Sequence, residues 1–148
     1  MKSRNLKISF YLYNFTLFCF FIIAFVYMSR SEFMSYHAEA VNMEWNQVPD
    51  NFKILILAGI RTIGALMFTI SIAIVTLLYI PFKKEILWAK YALGALNVLV
   101  TISLIYVVLF VRSNTNAHPP LYPLLVILCI VIVSFIFSIK REDNRLNK

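Results

Sequence analysis

Charge is the first thing this sequence is short of. Only 14% of its 148 residues are charged, against about 25% in an ordinary soluble domain. A water-soluble domain of this size needs a polar surface, and too few polar residues are present to build one. Acidic residues are scarcest, 7 against 14 Lys and Arg, and none falls inside a long apolar run. That removes the membrane-embedded carboxylate a small proton-coupled exporter would use as its relay. Both histidines, His37 and His118, lie outside those runs, so a bundle holding haem on histidines within its spans is excluded. The two cysteines, Cys19 and Cys129, sit inside apolar runs and form no CxxC pair. They read as small buried hydrophobes without a redox role, and a thiol oxidoreductase, which needs surface cysteine pairs, is excluded with them. The dense Arg, Glu, His and Asn content of four-span membrane glutathione transferases is missing too. These absences weigh against an enzyme, and no cofactor or metal is expected.

What is present is apolar length. Hydrophobic residues make up 61% of the chain, where roughly 45–50% is ordinary. Four runs stand out, at about 8–28, 54–82, 88–111 and 121–139. Each can cross about 30 Å of hydrocarbon as a helix. Lipid offers no partner to free backbone groups, so spans are helices or a closed barrel. Barrel strands would alternate polar and apolar residues, and these runs do not. The fold class is all-α: an integral membrane bundle of four antiparallel helices in a single domain over 1–148. Within this length no room is left for a separate soluble catalytic domain. The first run has a basic start but is too long for a signal peptide and lacks an A-x-A-like site, so it reads as a retained span.

The net charge of +7 does not point to nucleic acid, because the basic residues sit at the ends of apolar runs, where they set membrane orientation. Lys2, Arg4, Lys7, Lys83, Lys84, Lys90, Lys140, Arg141, Arg145 and Lys148 fall on one side, and Arg30, Lys53 and Arg112 on the other. By that asymmetry both termini are cytoplasmic, in the cell membrane. The first outer loop, 29–53, carries Glu32, Glu39, Glu44 and Asp50 beside Phe33, Tyr36, Val41, Trp45 and Phe52. The stretch 31–46 is expected as a short amphipathic helix or lid in the interface, stopped by Pro49, with Asp50 as N-cap of the second span. Trp45 and Trp88 are expected at the two membrane interfaces. The second outer loop, 113–120, with His118 and Pro119-Pro120, reads as extended. The spacing of His37, Glu39 and Glu44 matches no standard metal site.

Arg61 is the sharpest positive feature. It lies about 10 Å past Ile54 at ~1.5 Å rise per residue, where an arginine costs up to roughly 2.5–3.5 kcal/mol if it sits at mid-membrane. Two readings stay open. It snorkels to the headgroups, or it points into the bundle and meets a loop carboxylate or an anionic ligand. Ser103 and Tyr106 of the third span are expected at its depth, and Gly59 and Gly64 flank it. Asn14 and Asn97, with Ser71, Thr76 and Ser134 at comparable depth, are expected in the bundle interior, as interhelical hydrogen-bonding groups or as the floor of a cavity. Thr62, Ala65, Thr69, Ala73 and Thr76 form a small-residue stripe that reads as a helix-packing seam.

The string Phe33-Met34-Ser35-Tyr36-His37, then Trp45 with Gln47, then Arg61-Thr62-Ile63-Gly64, with Lys83-Lys84 followed by Trp88-Ala89, resembles a group of small bacterial four-span membrane proteins similar to the DoxX-like families. The resemblance implies a four-span fold and no particular activity. It marks Tyr36, His37, Trp45, Gln47 and Arg61 as residues meeting where the outer loop folds over the bundle mouth. Function then divides three ways: a bundle binding a lipid or small amphipathic ligand through Arg61, Tyr36, His37, Trp45, Gln47 and Tyr106; an accessory subunit packed on a larger membrane protein; or an enzyme using His37 and a loop carboxylate as acid and base.

Overall fold

Apolar runs that must satisfy every backbone group internally become helices. The structure is a computed structural model that describes residues 3–140. Lys2, Arg141, Arg145 and Lys148, counted above in the charge asymmetry, lie outside the described residues. Helix α1 spans Arg4–Ser29 and starts at Ser3, whose hydroxyl accepts from the Leu6 amide. Helix α2 is Ser35–Val41, followed by a 3-10 turn at Trp45–Gln47. Helix α3 runs Asp50–Leu77 and passes without a break into a π turn, Leu78–Phe82. Helix α4 is Leu87–Asn114 and α5 is Tyr122–Ile139. The four long helices are each long and apolar enough to cross a membrane, and among the described residues there is no strand. The chain is an all-α, multi-pass membrane four-helix bundle.

Two prolines mark local solutions. Pro81 lies inside the π turn, where a missing amide and a crowded ring are absorbed by the wider winding. Pro123 stands in the first turn of α5, where its amide would be unpaired anyway.

Helix α1 is the central element. It packs against α3 on one side and α5 on the other, α5 packs on α4, and α4 meets α3 only sparsely, touching the π turn. Side-chain bonds tie α1 to α5 and to the π turn that continues α3. The Ser9 hydroxyl donates to the Ser134 carbonyl of α5 at 2.7 Å. The Thr16 hydroxyl donates to the Tyr13 carbonyl of its own helix at 3.0 Å and lies 3.5 Å from the Asn97 side-chain oxygen of α4. The Tyr79 hydroxyl donates to the Asn14 side chain at 2.7 Å. Around these lies an apolar core that includes Tyr13, Phe20, Ile74, Phe82, Leu93 and Val131. The buried residues of α4 fall at 89–101 and those of α5 at 127–138, so the core sits toward the end bearing the α3–α4 turn.

The lid departs from its expected form. The helix expected over 31–46 shrinks to the 7 residues of α2. Asn42 ends it in the left-handed conformation, φ 50°, which asparagine tolerates at a helix end. A new turn then begins at Glu44, whose amide donates to the Gln47 side chain at 3.0 Å. Asp50 is not the N-cap of α3. Pro49 holds that position, and the Asp50 carboxylate instead pairs with Lys53 at 3.0 Å. Trp45 is half-buried against Phe33, with ring centroids 4.9 Å apart, beside a small second core of Phe33, Val48 and Ile60.

Candidate functional site

The outer end of α1 delivers Tyr27, Ser29 and Arg30, the lid delivers Tyr36 and His37, and α3 delivers Arg61. Close approach of α1 and α3 makes this meeting possible. A Cβ on Gly64 would stand 2.8 Å from the Met28 amide nitrogen and 2.9 Å from the Ala24 carbonyl, so only glycine lets the helices touch there. Gly59, on the other side of Arg61, faces open space.

Arg61 lies on an exposed flank of α3, and its guanidinium reaches the Arg30 carbonyl at 3.4 Å. That is a long bond by ordinary criteria, so most of its donor capacity is unused. Among the described residues no carboxylate forms an ion pair with Arg61 or Arg30. Arg30 has an additional deficit: its Nε is buried and has no hydrogen-bond partner among the described residues. Buried donors are normally hydrogen-bonded.

Tyr36 and His37 stand beside Arg30. The Tyr36 and Tyr27 hydroxyls share a hydrogen bond of 2.8 Å, which ties the lid to α1. Burial, with the Tyr27 contact, pushes the Tyr36 phenol well above its ordinary value, so it stays neutral. His37 Nδ1 accepts the Met34 amide at 3.2 Å and caps α2. Burial first, and the Arg30 charge second, push the His37 pKa down. A neutral imidazole accepting at Nδ1 carries its proton on Nε2. Glu39 does not turn to His37. Its carboxylate takes the His118 amide at 3.1 Å, with the His118 ring 3.9 Å away, and so latches the lid to the second outer loop.

Below Ser29 an apolar groove of about 490 Å³ runs along the α1–α3 seam, lined by Phe21, Phe25, Met28, Ser29 and Phe68. That volume is in the range of ligand pockets, roughly 300–1,000 Å³. Phe68 follows Arg61 by two helical turns, on the same face. The arginine therefore stands over the groove.

The remaining candidates lie apart from it. Trp45 belongs to the lid core, and Gln47 is exposed and caps the 3-10 turn. Tyr106 is 66% exposed on α4, stacked on Phe110, and Ser103 bonds only its own helix. Asn97 is fully buried, its amide donating to the Leu93 carbonyl at 2.8 Å. Asn14 is half-buried and bonds Phe10 and Tyr79. The stripe Thr62, Ala65, Thr69, Ala73 and Thr76 is exposed along its whole length. Arg30 was not singled out from the sequence, where it reads only as the charge ending a span; its signal is its place two residues past the first apolar run. Among the described residues no three His, Cys, Asp or Glu side chains converge as metal ligands. Compared with known proteins, the chain matches no family profile, no curated protein and no solved structure.

Proposed function

We propose that the protein binds an amphipathic ligand with an anionic head, its chain in the α1–α3 groove and its head at Arg61 beneath the lid. The supporting observation is the apolar groove lying under an arginine that has no carboxylate partner. Apolar lining with a few convergent polar groups is the usual make-up of a small-ligand site. Tyr36 and His37 cover the head, and Trp45 holds the lid in place through its contact with Phe33. With the basic end of the bundle toward the cytoplasm, the site opens to the extracytoplasmic leaflet. Kinship with the DoxX-like families is proposed on the motif residues alone.

Native mass spectrometry of the purified chain beside its Arg61→Ala variant tests this reading. A lipid-sized adduct is expected on the wild type and absent from the folded variant. No adduct on either folded protein overturns it. In that case the exposed Thr62–Thr76 stripe favours the second reading, an accessory subunit whose α3 packs on a larger membrane protein, since small residues let helices approach closely in lipid.

A further inference from the structure

We infer that the outer end of the bundle carries a second lipid site, for a zwitterionic head group with a primary ammonium and a phosphodiester. Glu39 of the lid takes the ammonium, and Arg112 at the end of α4 takes the phosphate. The site is separate from the α1–α3 groove and does not depend on what binds there.

The first argument is shape. Two cavities of about 410 and 470 Å³ adjoin where the lid meets the second outer loop. Glu39, Asn42 and Asn114 line the first, and Arg112 and His118 the second. Thr115 and Asn116 line both. Glu39 also accepts the His118 amide at 3.1 Å, so its carboxylate stands at the border between them. The trough is open to a ligand, with the Glu39 side chain 50% and that of His118 75% exposed.

The second argument is charge. One carboxylate and one guanidinium line the trough, and among the described residues Arg112 forms no ion pair. A simple anion would meet Arg112 and be repelled by Glu39; a simple cation would meet the reverse. A ligand carrying both charges satisfies both. A calcium ion gathers six to eight oxygens, carboxylates prominent among them, and this lining holds one carboxylate with a guanidinium in the adjoining cavity.

The third argument is the kind of ammonium. Quaternary ammonium groups are held over aromatic faces, and no aromatic ring lines either cavity. A primary ammonium instead carries three N–H donors and needs oxygens. Beside Glu39 stand the side-chain amides of Asn42, Asn114 and Asn116. Asn114 already donates to the Phe110 carbonyl at 2.8 Å, which leaves its Oδ1 as an acceptor. The planar fork of Arg112 suits the phosphate.

The fourth argument is position. Arg112 immediately follows the third apolar run, in the last turn of α4, at the level where head groups lie. One turn below Asn114 on the same helix stands Phe110, and one turn further Tyr106. Their rings stack 6.3 Å apart and are 57% and 66% exposed. An acyl chain lying along this face brings its head to the trough.

The test is a native mass spectrometry titration of the full chain in detergent with three lipids of one acyl chain: lysophosphatidylethanolamine, lysophosphatidylglycerol and lysophosphatidylcholine. The charge-assisted bonds of the primary ammonium lead us to expect the ethanolamine lipid to bind about ten-fold tighter than the other two. Equal binding of all three by the wild type, or binding of none, overturns the inference without recourse to any variant. Glu39→Gln keeps an acceptor for the His118 amide and is expected to erase the preference; a preference that survives it overturns the role of Glu39. Arg112→Gln is expected to weaken all three lipids while keeping their order. Arg61→Ala is expected to leave the preference intact, and its loss there would assign the preference to the α1–α3 groove and overturn this second site. Soluble glycerophosphoethanolamine is expected to displace the lipid only at on the order of a hundred-fold higher concentration, because it gains nothing from the apolar face of α4. Displacement at equal concentration overturns the assignment to a lipid.

Discussion

Three glycines separate cleanly once neighbours are known. At Gly64 an added methyl meets backbone atoms of α1, at Gly94 it meets the Phe135 ring, and at Gly59 it meets nothing. Backbone cannot step aside as a side-chain end can, so Gly64→Ala must part α1 from α3. The expected loss is about 1–3 kcal/mol, the usual range for overpacking. Gly59→Ala is expected to be neutral or to stabilise by up to about 1 kcal/mol through helix propensity. Thermal unfolding in detergent measures both, and equal effects at the two positions would refute the packing argument. Gly59 and Gly64 flank Arg61 almost symmetrically in the sequence. Nothing in their spacing says which one touches another helix, because that depends on which face of α3 turns to α1.

At the scale of elements the lid is the informative case. Helix α2, with 7 residues, is far too short to be stable alone, so it is helical because it is docked. Its anchors are the Tyr27–Tyr36 bond, the Phe33–Val48–Ile60 core and the Glu39 latch. His37 makes docking depend on pH. Its pKa is lowered in the docked state, by burial and then by Arg30, so the undocked state binds the proton more readily. The stabilisation is fully present above the unfolded histidine value of about 6.5 and is lost as pH falls through it. Hydrogen exchange should therefore show α2 amides less protected at pH 5.5 than at pH 7.5. His118 faces the Glu39 carboxylate on the same lid at 3.9 Å, so the measurement is best made in a His118→Ala background. His37→Gln should flatten the dependence, and an unchanged pH response in that variant would remove His37 from the account.

For the whole molecule, orientation is the main open consequence. Arg4, Lys7, Lys83, Lys84, Lys90 and Lys140 gather at one end of the described bundle, while Arg30, Lys53 and Arg112 stand at the other. Lysine and arginine in short loops are retained on the cytoplasmic side during insertion. A cysteine at Asn114 should therefore react with a membrane-impermeant maleimide on intact cells, and one at Lys84 only after permeabilisation. The reverse labelling would invert the topology and put Arg61 and the groove below it toward the cytoplasmic leaflet.

Class and the number of spans could be read from the sequence because hydropathy adds up along the chain, residue by residue. Four apolar runs without acidic residues have few other ways to exist in water or lipid. The candidate site is of another kind. Arg61 was conspicuous as a charge within an apolar run, yet its flank of α3, its Arg30 contact and the groove below follow from the antiparallel register of α1 and α3. That register brings Met28 to Gly64 and Phe21 to Phe68. Tyr106, matched to Arg61 by depth alone, lies on an exposed face of α4, because depth along a span says nothing about rotation around it. The lid shows the same division. Its aromatic and acidic residues marked it as a structured cover, but only tertiary packing decided that Trp45 would build a core, Gln47 would cap a turn and His37 would stand beside Arg30. A chain records which residues prefer lipid. Which of them meet is decided by close packing between helices.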